Sequence, residues 1–382
     1  MENKEVTILS NEYSLRMVDD DETQSLSIVK PSNNLDVAYI EYPNNTLSRS
    51  LFKNFGLMHL VANSFPNVIR INFLLIPEVF EIVQAMYAFN KRAIPKIKYF
   101  DIEQETTPNL LEYKLTDRKA VVAFSGGKDS LWNVWRMTKS LGIDNVLAVH
   151  IAGINRSVSA QEEKDTLAQR KTLRDFPQLK IVKLKNGSRI SGKSVMRSRD
   201  MFITSLIIPI ALEFGASRIV IEGNMGKQDQ NYQFTETESS WKLYNKKIEE
   251  LIGSPIKVEW EDADDVECLA DLIKYWPRSV PTISNCFSPP FARKNLRKKW
   301  LEKTPNFILQ NPSQCGSCIK CRIVRIAMAL NNLNYPAEEV IFFLKDTKEW
   351  LKAKKDGVSD IIGQDFYSSL DKAIDVWDNL NN

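Results

Sequence analysis

Two short stretches carry residue types and spacings that could do chemistry. The first is Ser125-Gly126-Gly127-Lys128-Asp129-Ser130, placed between the apolar run Ala120–Phe124 and a segment of helical spacing, Leu131–Leu141. Paired glycines between a strand and a helix let the backbone approach an anion closely, and the N–H groups of the helix start then point at it. Ser125 and Ser130 add hydroxyl donors, and Lys128 adds a point charge. Asp129 is out of place beside a phosphate unless it holds Mg2+, so that role is assigned to it. The spacing is not that of a Walker A loop, which needs four residues between its first glycine and Gly-Lys-Ser/Thr. An ordinary Gly-Gly turn capped by Asp or Ser is the plain alternative.

The second stretch is Cys315-Gly316-Ser317-Cys318-Ile319-Lys320-Cys321, two overlapping Cys-x-x-Cys units, with Cys286 as a fourth sulfur upstream. Four thiolates suit a closed, tetrahedral structural Zn2+ site. Cys318 and Cys321 precede an apolar helix, Ile323–Leu330, so a metal here would staple that helix to the core. A redox Cys-x-x-Cys pair is the alternative. The fifth cysteine, Cys268, lies in an apolar helical stretch and reads as core.

Composition narrows the classes around these two stretches. The chain has 382 residues, 43% of them hydrophobic, enough for one large core and a second. A net charge of +3 gives no field that would favour nucleic acid or an anionic membrane. There is no apolar run of about twenty residues, and the N-terminal MENKEVTILSNEYS lacks the basic-then-apolar order of a secretory signal. Clustered cysteines are also unlike a secreted disulfide framework. The expectation is a cytoplasmic protein without a membrane segment.

The elements that must position the two stretches follow from periodicity. Up to residue 115, short segments (Val6–Leu9, Leu26–Val29, Val37–Tyr42) alternate with turn-rich pieces, which predicts short antiparallel strands followed by a helix over Pro77–Phe89. This is an N-terminal α+β domain, 1–115, with a hinge at 105–109. From Lys119 strands and helices alternate: strands at Ala120–Phe124, Val146–Ile151, Ile181–Leu184 and Arg218–Glu222, helices at Leu131–Leu141, Gln161–Arg174 and Phe202–Phe214. That order predicts an α/β domain, 116–335, built on a doubly wound parallel sheet. Ligands bind at the carboxyl ends of such strands, so the loops after Phe124, Ile151 and Glu222 are expected to share one edge. A helical segment, 336–382, completes the chain.

The loop resembles the Ser-Gly-Gly-x-Asp-Ser signature of the PP-loop ATP pyrophosphatases, with the adenine nucleotide alpha hydrolase-like fold. Members split ATP between the α and β phosphates and pass AMP to a carboxylate or carbonyl oxygen. The cysteine cluster narrows the resemblance to the 7-cyano-7-deazaguanine synthases, the QueC-like enzymes. Arg197-Ser198-Arg199-Asp200-Met201-Phe202 is similar to that family's Gly-Arg-Asn segment, and Gly215–Gly223 to its Gly-Ala-x-x-Ile-Val-x-Gly strand. The resemblance covers roughly Lys119 to Leu330. It implies that Ser125, Gly126, Gly127, Asp129 and Ser130 hold ATP phosphates and Mg2+, with Lys128 alongside. It implies that Arg199 approaches the nucleotide, that Ile151 and Gly223 line its pocket, and that Cys286, Cys315, Cys318 and Cys321 bind Zn2+. The implied substrate is the carboxylate of 7-carboxy-7-deazaguanine, taken to an amide and then a nitrile with ammonia.

Four features depart from that family. These are the N-terminal domain, and a long gap from Cys286 to Cys315 holding the basic stretch Arg293 to Lys299. The family's Tyr-Pro-Asp-Cys-Arg substrate segment appears as Tyr232-Gln233-Phe234-Thr235-Glu236, where Tyr232 and Glu236 would meet the substrate, a solvated surface acid being the equal alternative for Glu236. Ala263 stands where a lysine is expected after Trp260-Glu261-Asp262. Similar relatives in type IV CBASS anti-phage operons join the deazaguanine through an amide to the N-terminus of a partner protein. The resemblance therefore implies a protein partner from the same operon, docked by the added domain and the basic insert. A solvated helix face is the other reading of the insert. A PP-loop tRNA-modifying enzyme and a non-catalytic nucleotide-binding scaffold are the rival functions; oligomeric state is left open.

Overall fold

The computed structural model describes residues 12–19, 23–30, 35–43, 54, 57, 67–71, 73–99, 102, 113–152, 179–183, 199–222, 234–261, 265–283, 286, 288, 290–309, 314–332, 334–353 and 364–381. Contacts divide the chain into two compact units. One comprises Met1–Ala123, Asn145–Glu162 and Lys180–Trp260; the other comprises Phe124–Asp144, Glu163–Leu179 and Glu261–Asn382. These divisions differ from the boundaries expected at 115 and 335. The reason is a shared core in the first unit, where Ile69, Val79 and Met86 belong to the same apolar cluster as Val121, Ile207 and Tyr244.

The first unit contains two five-stranded sheets. In one, β1 (Glu12–Asp19), β2 (Thr23–Lys30), β3 (Leu35–Pro43), β4 (Val68–Ile71) and β5 (Lys96–Tyr99) lie in the order β3-β2-β1-β4-β5. The β1–β2 and β2–β3 pairs are antiparallel, as expected. The expectation of antiparallel strands is corrected for the rest, because β4 pairs parallel with both β1 and β5. A parallel pair needs a crossover of a dozen residues or more, and between β4 and β5 α1 (Pro77–Phe89) supplies it. Strands of four residues, Val-Ile-Arg-Ile and Lys-Ile-Lys-Tyr, are too short to show their pairing in a sequence pattern. Helix α1 opens on Pro77, whose missing N–H costs nothing there. Its entry is held from a distance: buried Asn54 accepts from Ile76 N at 2.8 Å and donates to Leu74 O at 3.1 Å.

The second sheet carries the loop of interest. Along the chain come β6 (Thr116–Ala123), α2 (Lys128–Leu141), β7 (Val146–Ala152), β8 (Leu179–Lys183), α3 (Arg199–Phe214), β9 (Ala216–Glu222), α4 (Glu238–Ile252) and β10 (Lys257–Glu261). The strand order is β10-β9-β6-β7-β8, and β6 runs parallel to both of its neighbours. This is a mixed α/β architecture with a parallel core, compatible with the doubly wound fold. Strand β6 is central because Ala120, Val121 and Val122 are apolar on both faces and wholly buried. The α3 helix is apolar almost all round, with Leu206, Ile207, Ile208, Ala211 and Leu212 buried. Its Ser205 hydroxyl is satisfied inside, donating to Met201 O at 2.7 Å and lying 2.6 Å from Tyr244 Oη.

The second unit is helical: α2, α5 (Asp265–Tyr275), α6 (Pro290–Lys303), α7 (Ile319–Asn331), α8 (Ala337–Ala353) and α9 (Gln364–Asn381). Helix α7 packs against α5, α8 and α9, and is buried from Cys321 to Ala329. Trp377 of α9 donates to Ala329 O at 2.9 Å, and Trp132 of α2 to Asp271 of α5 at 3.0 Å. Cys268 lies in the α5 core, as read from the sequence. The expected strand Val6–Leu9, hinge 105–109 and helix Gln161–Arg174 lie outside the described residues. Among the described residues, no helix is long and apolar enough to cross a membrane.

Candidate functional site

The strand from which the Ser125 loop departs sits at a reversal in the sheet order. From β6 the chain proceeds to β7 and β8 on one side, then to β9 and β10 on the other. The reversal makes the carboxyl end of β6 a topological switch point, the usual place for ligands in parallel α/β sheets. The loop leaves β6 at Ala123 and enters α2 at Lys128. Gly126 has φ +78°, a left-handed conformation that other residues adopt at a cost. Gly127 is extended and occupies the cap position of α2, where no side chain caps the helix. The first turn of a 14-residue helix is therefore left to other acceptors.

The serines close the turn on itself. Ser125 Oγ accepts from Gly127 N at 3.1 Å and lies 3.2 Å from Ser130 Oγ, which donates to Gly127 O at 3.1 Å. Ser125 is exposed, whereas Ser130 is fully buried. The charged residues divide similarly. Lys128 is 1% exposed and its ammonium pairs with the Asp129 carboxylate, which is 31% exposed. Asp129 is thus the accessible charge of the loop, and Lys128 holds it from within.

Other expected site residues are placed by their backbone. Ile151 lies near the carboxyl end of β7, Arg199 is the first residue of α3, and Glu236 ends a single 3-10 turn, Phe234–Glu236. That turn leads into α4 through Thr237, whose hydroxyl accepts from Ser240 N at 3.4 Å. Phe234 anchors it edge-on against Phe89, with ring centroids 5.7 Å apart. Gly223, Tyr232 and Ala263 lie outside the described residues.

The four clustered cysteines are brought together. Their Sγ atoms all lie within 4.8 Å of one another, and all four are free thiols. Cys318 lies 3.5 Å from Cys321 and 3.9 Å from Cys286, and Cys315 lies 3.9 Å from Cys321. A tetrahedron with metal–sulfur bonds of about 2.3 Å has sulfurs roughly 3.8 Å apart. The group could hold a metal ion such as zinc. Cys315 Sγ also accepts from Ser317 N at 3.3 Å, Cys318 N at 3.2 Å and Ser288 Oγ at 3.1 Å, an environment for a thiolate. Hydrogen bonds from Cys286, Cys318 and Cys321 hold the Cys315 thiol far below its ordinary range. Cys321 moves the other way, raised by its bonds with Cys286, Cys315 and Cys318 and by burial.

Sequence reasoning missed the residues around the cluster. Arg322 donates to Ser317 O at 2.9 Å and to Asp346 Oδ2 at 2.8 Å. Arg325 is fully buried among Trp300, Phe307 and Phe343, its guanidinium carbon 4.6, 4.8 and 3.9 Å from the ring centres. Burial, and then Arg322 beside it, pulls the Arg325 guanidinium down to about 9. The basic stretch proves two-faced. Lys294, Lys298 and Lys299 are exposed, but Arg293 is buried and Arg297 half-buried. Spacing of four and three between Arg293, Arg297 and Trp300 marks one helix face, and that was the available signal. Compared with protein-family models and with curated proteins, the chain finds no match.

Proposed function

We propose that this chain uses ATP to activate the carboxylate of 7-carboxy-7-deazaguanine and then forms an amide with an amine. The observation that carries the reading is the Ser125–Ser130 loop, an uncapped helix start behind a left-handed glycine, at the switch point of a parallel sheet. Such a loop suits a polyphosphate, because its backbone donors are fixed before the ligand arrives. In the reaction, a carboxylate oxygen attacks the α-phosphorus and the bond to the bridging oxygen breaks, releasing pyrophosphate. The amine then attacks the acyl carbon, loses a proton and displaces AMP. The first-turn N–H groups of α2, with Ser125 and Ser130, would orient the departing pyrophosphate. Asp129 would hold Mg2+, which supplies charge neutralisation of the phosphates, in competition with the Lys128 ammonium. The Arg199 and Gly223 positions would line the nucleotide, and Tyr232 and Glu236 the deazaguanine.

The cysteines would hold zinc in a structural role, since four protein ligands leave no open position for substrate. Their gathering also weighs against tRNA thiolation, which needs a reactive cysteine pair: four cysteines are in the cluster and Cys268 is buried. Ala263, in place of the lysine that balances triphosphate charge, favours a reaction that stops at the amide. An amine on a partner protein fits that outcome; ammonia followed by dehydration to the nitrile is the alternative. The test is incubation with ATP, Mg2+ and 7-carboxy-7-deazaguanine, with ammonia or with proteins encoded beside this one, followed by assay of AMP and pyrophosphate. AMP formation dependent on the deazaguanine is expected. A mass increase on a neighbouring protein would identify conjugation, a nitrile would identify synthase activity, and no AMP under any condition would overturn the enzyme reading.

A further inference from the structure

The stretch between Cys286 and Cys315 contains helix α6, whose inner-face residues Arg293, Arg297 and Trp300 reach the cysteine turn or the residues that contact it. Arg293 Nε donates at 2.6 Å to the carbonyl of Ser288, the residue whose hydroxyl donates to Cys315 Sγ. One turn on, Arg297 Nη1 donates to Leu309 O at 2.6 Å and to Gln314 O at 3.3 Å, the carbonyl directly before Cys315. Next on the same face, Trp300 Nε1 donates to Ser317 Oγ at 2.6 Å. The Trp300 ring also lies flush on the turn: a Cβ built on Gly316 would stand 2.8 Å from Trp300 Cδ1. From the other side Arg322 takes Ser317 O. Residues 314 to 317 are thereby gripped at successive positions by two helices.

We infer that α6 is a brace for the metal centre: Arg293, Arg297 and Trp300 are positioning residues that hold the Cys315–Cys318 turn in its liganding shape and so set metal affinity. The inference rests on the reading of the four cysteines as a metal site. Removing a group that orients a metal ligand from behind typically costs about 10- to 100-fold in affinity. The outer face, with Lys298 at 78% exposure, takes no part.

The test is metal binding by the full chain. Cobalt(II) is titrated into the reduced apoprotein, its thiolate charge-transfer and d–d bands are recorded, and zinc affinity is measured against a chromophoric chelator. Arg297→Gln is expected to weaken affinity about 10- to 100-fold and to shift the d–d bands, which report ligand geometry. Arg297→Lys should recover part of the loss, Trp300→Phe should weaken binding by about fivefold through one lost hydrogen bond, and Lys298→Ala should change nothing. Wild-type affinity and bands in both Arg297→Gln and Trp300→Phe would overturn the brace, as would an equal loss in Lys298→Ala. Should Arg297→Gln not fold, Trp300→Phe and Arg297→Lys decide alone. A wild-type chain that binds neither ion removes the metal reading itself, a result distinct from variants that bind normally.

Discussion

The glycine loop and the cysteine turn share two backbone features and differ in what surrounds them. Each has a left-handed glycine, Gly126 at φ +78° and Gly316 at φ +75°, shortly before a helix. Each ends on an extended cap residue, Gly127 or Cys318, that offers no side-chain cap. In the cysteine turn the N–H groups of Ser317 and Cys318 are turned onto Cys315 Sγ, and side chains from α6 and α7 hold the carbonyls. In the glycine loop the hydroxyls of Ser125 and Ser130 close the turn. An over-determined turn suits a permanent occupant. A glycine loop ahead of a helix start with no side-chain cap suits a ligand that comes and goes.

The difference can be broken or sharpened by substitution. The largest effect is expected for Cys315→Ser, which should lose the metal and lower Tm by on the order of 10 °C, since binding energy in such sites is folding energy. Calorimetry with a metal assay checks this, and an equally stable metal-free protein would remove the contrast. Gly316→Ala comes next, because a left-handed alanine costs about 1–2 kcal/mol and its Cβ would overlap Trp300 at 2.8 Å. The overlap adds roughly 1–3 kcal/mol, so Tm should fall by several degrees. Asp129→Asn should reduce AMP release about 100-fold, roughly 2.7 kcal/mol of barrier, while leaving an amide oxygen at position 129 to accept from the Lys128 ammonium. Retained turnover would refute the assigned role of Asp129. Gly126→Ala should cost only the strain, about 1–2 kcal/mol, yet abolish AMP release by moving the loop N–H groups. A variant as active as the parent would show that the loop does not cradle phosphate.

Much of the scaffold was legible. Helix Pro77–Phe89 matches its apolar spacing, and the alternation after Lys119 does produce parallel pairing about β6. The parallel β4 and β5 were not legible, since a four-residue strand carries no period. The Arg293–Lys299 stretch read as uniformly basic because composition does not separate the two faces of a helix. Only packing distinguishes inward Arg293 and Arg297 from exposed Lys294 and Lys298.

The sequence by itself determined which local chemistry was on offer: a glycine turn before a helix, and thiols at a spacing that reaches one ion. Both depend on neighbours along the chain, and short-range geometry is written in residue order. Tertiary structure decided what surrounds each group. It brought Cys286 to within 3.9 Å of Cys318 across 32 positions, buried Lys128 against Asp129, and set Arg297 and Trp300 against the cysteine turn. Such choices follow from which surfaces leave water together, a property of the whole packed chain.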